Sequence, residues 1–427
     1  MSLITLAVLG GSGVGTPELF NALLNWPAGN DARPELRVVL LGRSTHKLER
    51  VRAICEQIVR GAYPHIHIES YTDWSAGLEG ADYILNQIRV GGLEARAYDE
   101  TFPHTLGILG EETIGPGGFA NTLRTIPIVL EACNLIYKVA PHAIVLNLTN
   151  PAGMIQHAVM RYTDIHIISL CDSPITLGKD VARLLKVPRA ELWIDYLGMN
   201  HLGWIFGLHC ANQDLMDRAL DQIDLLSSLG VDSTYIRTTR AIPISYVRYY
   251  LHPERMLRLQ EGKVPRARQL QTIEQELLTE YEQSIERDDG NPSTKVARRG
   301  AVWYTTIVVP VLDALINDRS STWVVNVANK RNISWLSPET VIEVPSKINR
   351  TGAHPHQVDS LKIAEDVRAL LFSQAAYESL AVSAIVERNR ERALQALVAH
   401  PLVRSIDRAE SVLEAVWPTG GAGYVHL

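Results

Sequence analysis

Two short segments carry side chains able to hold a metal ion. Leu170-Cys171-Asp172-Ser173-Pro174 sets a thiol beside a carboxylate, and Gly198-Met199-Asn200-His201-Leu202 an amide beside an imidazole. A cysteine–histidine pair with open coordination positions suits a divalent transition metal better than calcium, which prefers oxygen donors. Two separated ligands are equally compatible with structural side chains. A third segment, Ile242-Pro243-Ile244-Ser245-Tyr246-Val247-Arg248-Tyr249-Tyr250, clusters tyrosines. Clustered tyrosines usually pack a core or interface, and one acts as a base only where positive charge lowers its pKa.

Other segments are suited to binding rather than proton transfer. Asn86-Gln87-Ile88-Arg89-Val90-Gly91-Gly92-Leu93-Glu94-Ala95-Arg96 and Gly110-Glu111-Glu112-Thr113-Ile114-Gly115-Pro116-Gly117-Gly118 are rich in glycine and charge. Arg89 and Arg96 can bind an anionic substrate group, because a guanidinium matches phosphate geometry; the alternative is ordinary surface charge. Asn150, in Asn147-Leu148-Thr149-Asn150-Pro151, can present its amide to a ligand from a proline-fixed turn. Near the N-terminus, Gly10-Gly11-Ser12-Gly13-Val14-Gly15-Thr16-Pro17 follows an apolar run, and Gly11, Gly13 and Gly15 could let the backbone approach a pyrophosphate. The spacing departs from the full dinucleotide fingerprint, so a plain tight turn is the competing reading. Arg43, after Leu41-Gly42, occupies the place where an acidic residue usually binds the ribose diol of NAD. It is either a solvated side chain or a contact for adenine or a 2′-phosphate, which leaves NADP open.

The elements that must position these residues alternate strand and helix. Apolar runs at 3–9, 36–41, 83–86 and 143–147, a shorter one at 65–70 and another at 167–170 read as strands. Helical patterns at 18–24 and 46–61 lie between the first of them. Strands apolar throughout and separated by helices predict a parallel sheet covered on both faces. A strand, a glycine turn and a helix at the start look like the opening of a Rossmann domain. Beyond about residue 170 the pattern changes to helices at 272–286, 358–372 and 377–400, mixed with strands at 323–327 and 340–344. We therefore expect an α/β fold with a Rossmann-type domain at 1–168 and an α+β substrate and metal-binding domain at 169–427. Residues 287–293 read as a loose turn.

The chain has 427 residues, 46% hydrophobic and 21% charged, with a net charge of −6. This composition excludes a disordered, collagen-like or coiled-coil chain and gives no basic footprint for nucleic acid. No apolar run approaches the roughly 20 residues that span a bilayer. The N-terminus reads as a strand and not a signal peptide, and four dispersed cysteines (Cys55, Cys133, Cys171, Cys210) do not form a disulfide framework. A reducing, cytoplasmic setting is expected.

Taken together the segments resemble glycoside hydrolase family 4, in particular its 6-phospho-glucosidases. The matches run in the family's order over most of the chain: G-G-S…T-P-E-L, N-Q-I-R-V-G-G-L-E-A-R, E-T-x-G-P-G-G, T-N-P-A-G, C-x-x-P, G-x-N-H-L and Y-x-x-Y-Y. Val324-Val325-Asn326-Val327, Ile342-Glu343-Val344-Pro345 and Ala399-His400-Pro401 extend it. N-Q-I-R-V-G-G followed by E-T-x-G-P-G-G is specific; the glycine turn is not. The resemblance implies a lactate/malate dehydrogenase-like architecture and a hydrolysis driven by transient NAD-dependent oxidation at sugar C3, an exception to the two-carboxylate scheme. It implies a divalent ion, usually manganese, on Cys171 and His201, with Tyr246 removing the C2 proton before the glycosidic oxygen leaves.

Gly11, Ser12, Gly13, Gly15, Arg43 and Asn86 fall at the cofactor, and Arg89, Arg96, Asn150 and Arg266 at the substrate. Asp172 matches the acid position of α-specific members, and Glu112 is a second candidate acid. The wording of the N-Q-I-R and G-M-N-H-L-G-W segments leans toward the β-specific members. The family also implies a homodimer or homotetramer and a small phosphorylated sugar as substrate. Rival readings are a lactate/malate-type dehydrogenase, a family branch acting on unphosphorylated α-galactosides or glucuronides, and a catalytically silent nucleotide sensor.

Overall fold

The computed structural model describes residues 3–27, 33–288 and 300–418. Most of the expected turn at 287–293 lies outside them. Six strands form a parallel sheet: β1 (Ile4–Leu9), β2 (Leu36–Leu41), β3 (Ile66–Tyr71), β4 (Tyr83–Asn86), β5 (Ile144–Asn147) and β6 (His166–Ser169). Their order is β3-β2-β1-β4-β5-β6, the doubly wound arrangement whose strand order reverses beside β1. β1, β4 and β5 are buried almost end to end. Helices on both faces explain why these strands read as continuous apolar runs.

The second half extends the same sheet in antiparallel fashion. It adds β7 (Leu192–Met199), β8 (Leu202–Cys210), β9 (Gln213–Asp214), β10 (Ile242–Pro243), β11 (Ser321–Ala328), β12 (Val341–Asn349) and β13 (Gly352–Pro355). The junction is narrow: Asn326 of β11 pairs with Ser169 of β6, and Glu343 of β12 with Gly198 of β7. β7 and β8 form a hairpin whose tip carries Asn200 and His201.

Two sequence expectations need correction. The E-T-x-G-P-G-G segment is only half loop, since Gly115 opens a 25-residue helix, Gly115–Val139. Pro116 falls in its first turn, where a missing N–H costs nothing. A Cβ on Gly117 would lie 2.2 Å from the Glu111 carbonyl, so the helix start folds tightly back on Glu111 and Glu112. Late in the chain the helices are Glu365–Glu387 and Arg390–Ala399, not 358–372 and 377–400. Residues 373–376 contain no helix breaker, whereas Arg388 turns left-handed at φ 53° and the Asn389 side chain caps the next helix through the Arg392 N–H.

Among the described residues one helix, Glu365–Glu387, is long and apolar enough by length and composition to cross a membrane, although Ser373, Gln374 and Glu378 interrupt its apolar run. Here 56% of its apolar window is buried, and the helix packs on Gly115–Val139 and Ala152–Tyr162.

Candidate functional site

The glycine turn after β1 is shaped by close backbone approach. Gly10 has φ +85°, and a Cβ on Gly11 would meet Leu40 Cα at 2.9 Å. Gly13 and Gly15 face only ordinary contacts, so the steric demand lies at Gly10, absent from the sequence prediction, and at Gly11. Ser12 lies against Gly42 of the β2 end, and Arg43 is exposed just beyond it. Gln87 braces the turn: its Nε2 donates to the Gly10 carbonyl and Thr16 Oγ1 (3.3 and 3.1 Å), and its Oε1 accepts from the Tyr304 hydroxyl at 2.6 Å. Asn86, at the buried end of β4, donates to Asn147 Oδ1 at 2.9 Å, while its own Oδ1 has no protein partner. The result is a backbone cradle at the carboxyl edge of the sheet, the place where such folds take a dinucleotide.

Beside it lies a cluster of arginines and carboxylates. The loop after β4 brings Arg89, and the helix Gly92–Thr101 brings Arg96 and Glu100. Glu112 pairs with both arginines, through Oε2 to Arg89 and through Oε1 to Arg96 at 2.6 Å. Arg96 also bonds Glu100 at 2.7 Å. Asn121 ties this cluster to the Asn150 loop, donating to the carbonyls of Glu112 and Asn150 at 3.0 and 3.1 Å. Arg266 is brought near by its neighbour's backbone: the adjacent Ala267 N–H donates to Glu100 Oε2 at 2.8 Å. Its guanidinium is exposed and bonds Gln269.

Cys171 follows β6 and is buried. Burial, then Glu343 and Asp172, push its thiol up. Asp172 stands at the N-cap position of the helix Ser173–Leu185 without a capping side-chain bond, and burial raises its carboxyl. His201 sits at the β7–β8 tip with φ 63°, a left-handed conformation uncommon outside glycine. Burial lowers its imidazole to about 4, which keeps it neutral. Its buried Nδ1 has no protein partner. Tyr246 stacks on His201 with ring centroids 4.2 Å apart and planes within 16°. Burial, then Glu111 and Cys171, push the Tyr246 hydroxyl up, so the thiol lies near enough to act on the phenol stacked against the imidazole.

These residues fit a divalent cation. The imidazole is neutral as a ligand must be, an orphaned nitrogen is available, and the charge missing between thiol and phenol is positive. Among the described residues no group of three or more His, Cys, Asp or Glu converges. Two protein ligands leave coordination positions for substrate oxygens, as a catalytic site requires.

Sequence reasoning overlooked Glu111, whose neighbour Glu112 drew attention by its motif. Burial raises the Glu111 carboxyl to about 7, with the nearby Tyr249 hydroxyl opposing the shift. Glu111 acts on Tyr246 more strongly than Glu112 does. The spacing Y-x-x-Y, which puts two hydroxyls on one helical face, was the available signal. Tyr250 faces elsewhere, stacking with His400.

The sequence model of family 4 glycosyl hydrolases matches residues 7–187, and the model of that family's C-terminal domain matches residues 196–403. A probable 6-phospho-beta-glucosidase of Bacillus subtilis is 29% identical, with 96% of this chain and 95% of that protein aligned. Relatives named for the alpha linkage also match. The 6-phospho-beta glucosidase of Thermotoga maritima, solved with manganese, NAD+ and glucose-6-phosphate, superposes with a TM-score of 0.87 at 27% identity over 97% of each chain. A lactate dehydrogenase of Eimeria maxima shares the fold alone, with a TM-score of 0.56 at 12% identity. With both halves matched in order, the chain belongs to family 4 of the glycosyl hydrolases.

Proposed function

We propose that this protein hydrolyses 6-phospho-glucosides, β-linked in preference to α-linked, using NAD and a divalent metal, Mn²⁺ foremost. The stacking of Tyr246 on His201, both buried and within electrostatic reach of Cys171, carries the reading. A phenol there is useless as a base until a cation offsets the carboxylates around it. When bound, NAD and the metal would supply reversible hydride removal at C3 and Lewis acidity toward the C2 and C3 oxygens. Cys171 and His201 would hold the metal.

The chain's own groups do the rest. Tyr246 takes the C2 proton. Asp172 and Glu112 are the candidate acids for the leaving oxygen, and the ion pairs of Glu112 with Arg89 and Arg96 favour Asp172 for that part. Arg89, Arg96 and Arg266 bind the phosphate and Asn150 a sugar hydroxyl. Gly11, Ser12, Gly13, Gly15, Arg43 and Asn86 line the cofactor cradle. Residues 1–168 would hold the dinucleotide and 169–427 the metal, a division supported by the change from parallel to antiparallel pairing after β6. A homodimer or homotetramer in the cytoplasm fits the family resemblance.

Two measurements test this reading. Nitrophenyl 6-phospho-α- and β-glucosides, assayed with NAD+, Mn²⁺ and reductant, should be cleaved, the β-linked one faster, while unphosphorylated glucosides are poor substrates. Hydrolysis in D₂O should place deuterium at C2 of the product, and Tyr246→Phe should lose turnover yet bind NAD+. Turnover without nicotinamide and without deuterium at C2 would replace this reading by ordinary two-carboxylate hydrolysis.

A further inference from the structure

Glu343 lies in the middle of β12 with no solvent exposure, in a row of polar side chains crossing the sheet junction. Opposite it on β11 is Asn326, whose Nδ2 donates to Glu343 Oε1 at 3.3 Å and to the Ser169 carbonyl at 3.2 Å. Ser169 stands two residues before Cys171. The other carboxylate oxygen accepts the Tyr196 hydroxyl at 2.8 Å, from the strand leading into the His201 turn. A Cβ on Gly203 would lie 1.9 Å from that hydroxyl, so the facing strand leaves room for this bond. Asn200 also turns toward Glu343, its Nδ2 short of full hydrogen-bond geometry and its Oδ1 taking the Ala152 N–H at 3.0 Å, next to the Asn150 loop.

One carboxylate therefore touches side chains tied to the backbones before Cys171, before His201 and after Asn150. A buried carboxylate is costly unless something balances it. An amide would serve a purely architectural joint as well. We infer that Glu343 is a positioning residue for the metal site: it fixes the separation of Cys171 and His201 through Asn326 and Tyr196, and supplies a second negative charge behind the thiolate without being a ligand. The inference rests on the metal-site reading above.

Mn²⁺ binding to the whole protein, with NAD+ present, measured by loss of the free-ion EPR signal, tests it. Glu343→Gln keeps the shape and removes the charge. It should bind NAD+ normally and weaken Mn²⁺ binding about 10- to 100-fold, the range for outer partners of metal ligands. Tyr196→Phe, which only frees one oxygen, should weaken Mn²⁺ several-fold, and serves alone if Glu343→Gln does not fold. Mn²⁺ affinity within twofold of the unmodified protein in Glu343→Gln, or in Tyr196→Phe where only that variant folds, would overturn the inference. Cys171→Ser separates the two ideas: if it too binds Mn²⁺ normally, the metal-site reading fails first, and if it alone loses the ion, only the role of Glu343 falls.

Discussion

Cys171 and His201 differ in what burial does to them. The thiol is pushed up and the imidazole down, so both are uncharged until a cation arrives. Cys171→Ser and His201→Ala should each lose bound Mn²⁺ by elemental analysis and lower turnover by more than about 100-fold, beyond the effect of outer partners. Normal metal content in either would remove it from the site. Arg89 and Arg96 also separate. Among the described residues Arg89 is paired with Glu112 and is the more exposed, at 32% of its side chain, whereas Arg96, at 13%, is held between Glu100 and Glu112. Arg89→Ala should cost about 1.5–3 kcal/mol on phosphorylated substrate, roughly 10- to 150-fold in kcat/KM, with little change in melting temperature. Arg96→Ala takes one partner from each of two buried carboxylates, leaving Glu112 with Arg89 and Glu100 with the Ala267 N–H, and should destabilise the fold as well, by about 1–3 kcal/mol. Equal melting temperatures for the two variants would contradict this division.

At the scale of elements, the strand–turn–helix at 4–24 depends on how closely the turn approaches β2. A methyl at Gly11 meets Leu40 backbone at 2.9 Å, which cannot move without disturbing the sheet; one at Gly15 meets a side-chain carbon at 3.5 Å. Gly11→Ala should therefore weaken NAD+ binding at least about tenfold, and Gly15→Ala much less, as read by calorimetric titration. Comparable losses at both would mean that the dinucleotide touches Gly15 directly. The strand pattern was legible from sequence because the inner parallel strands β1, β4 and β5 are buried on both faces, whereas the edge strand β3 is half polar. The helix break at Arg388-Asn389 was not, since the left-handed cap falls on an arginine instead of glycine.

Over the whole molecule, one sheet joins thirteen strands among the described residues, and Glu365–Glu387 packs across Gly115–Val139 and Ala152–Tyr162. Inside that packing Glu378 is buried with Oε2 unpartnered, and burial raises its carboxyl from 4.5 to about 8. A carboxyl raised on folding is favourable while protonated, so its contribution is complete below about pH 4.5 and is lost as pH rises toward 8. Stability should fall across that window, and Glu378→Gln, neutral throughout, should flatten the dependence of melting temperature on pH. An unchanged slope in the variant would assign the pH dependence to other groups.

The order of strands and helices in the first half, the glycine turn and the residues Cys171, His201 and Tyr246 were determined by sequence. Local periodicity and short motifs report on neighbours along the chain, and they were enough to place this protein in its family. Tertiary structure alone decided the partnerships. Glu112 proved to be bound by two arginines, Glu111 to face the tyrosines, and Arg266 to be anchored beside Glu100 by the N–H of Ala267. Glu343 met Tyr196, 147 residues away, because β12 and β7 become neighbours in the sheet. No spacing in the chain encodes such a meeting: it exists only once the antiparallel strands have joined the parallel ones, and burial then sets the charge of each group.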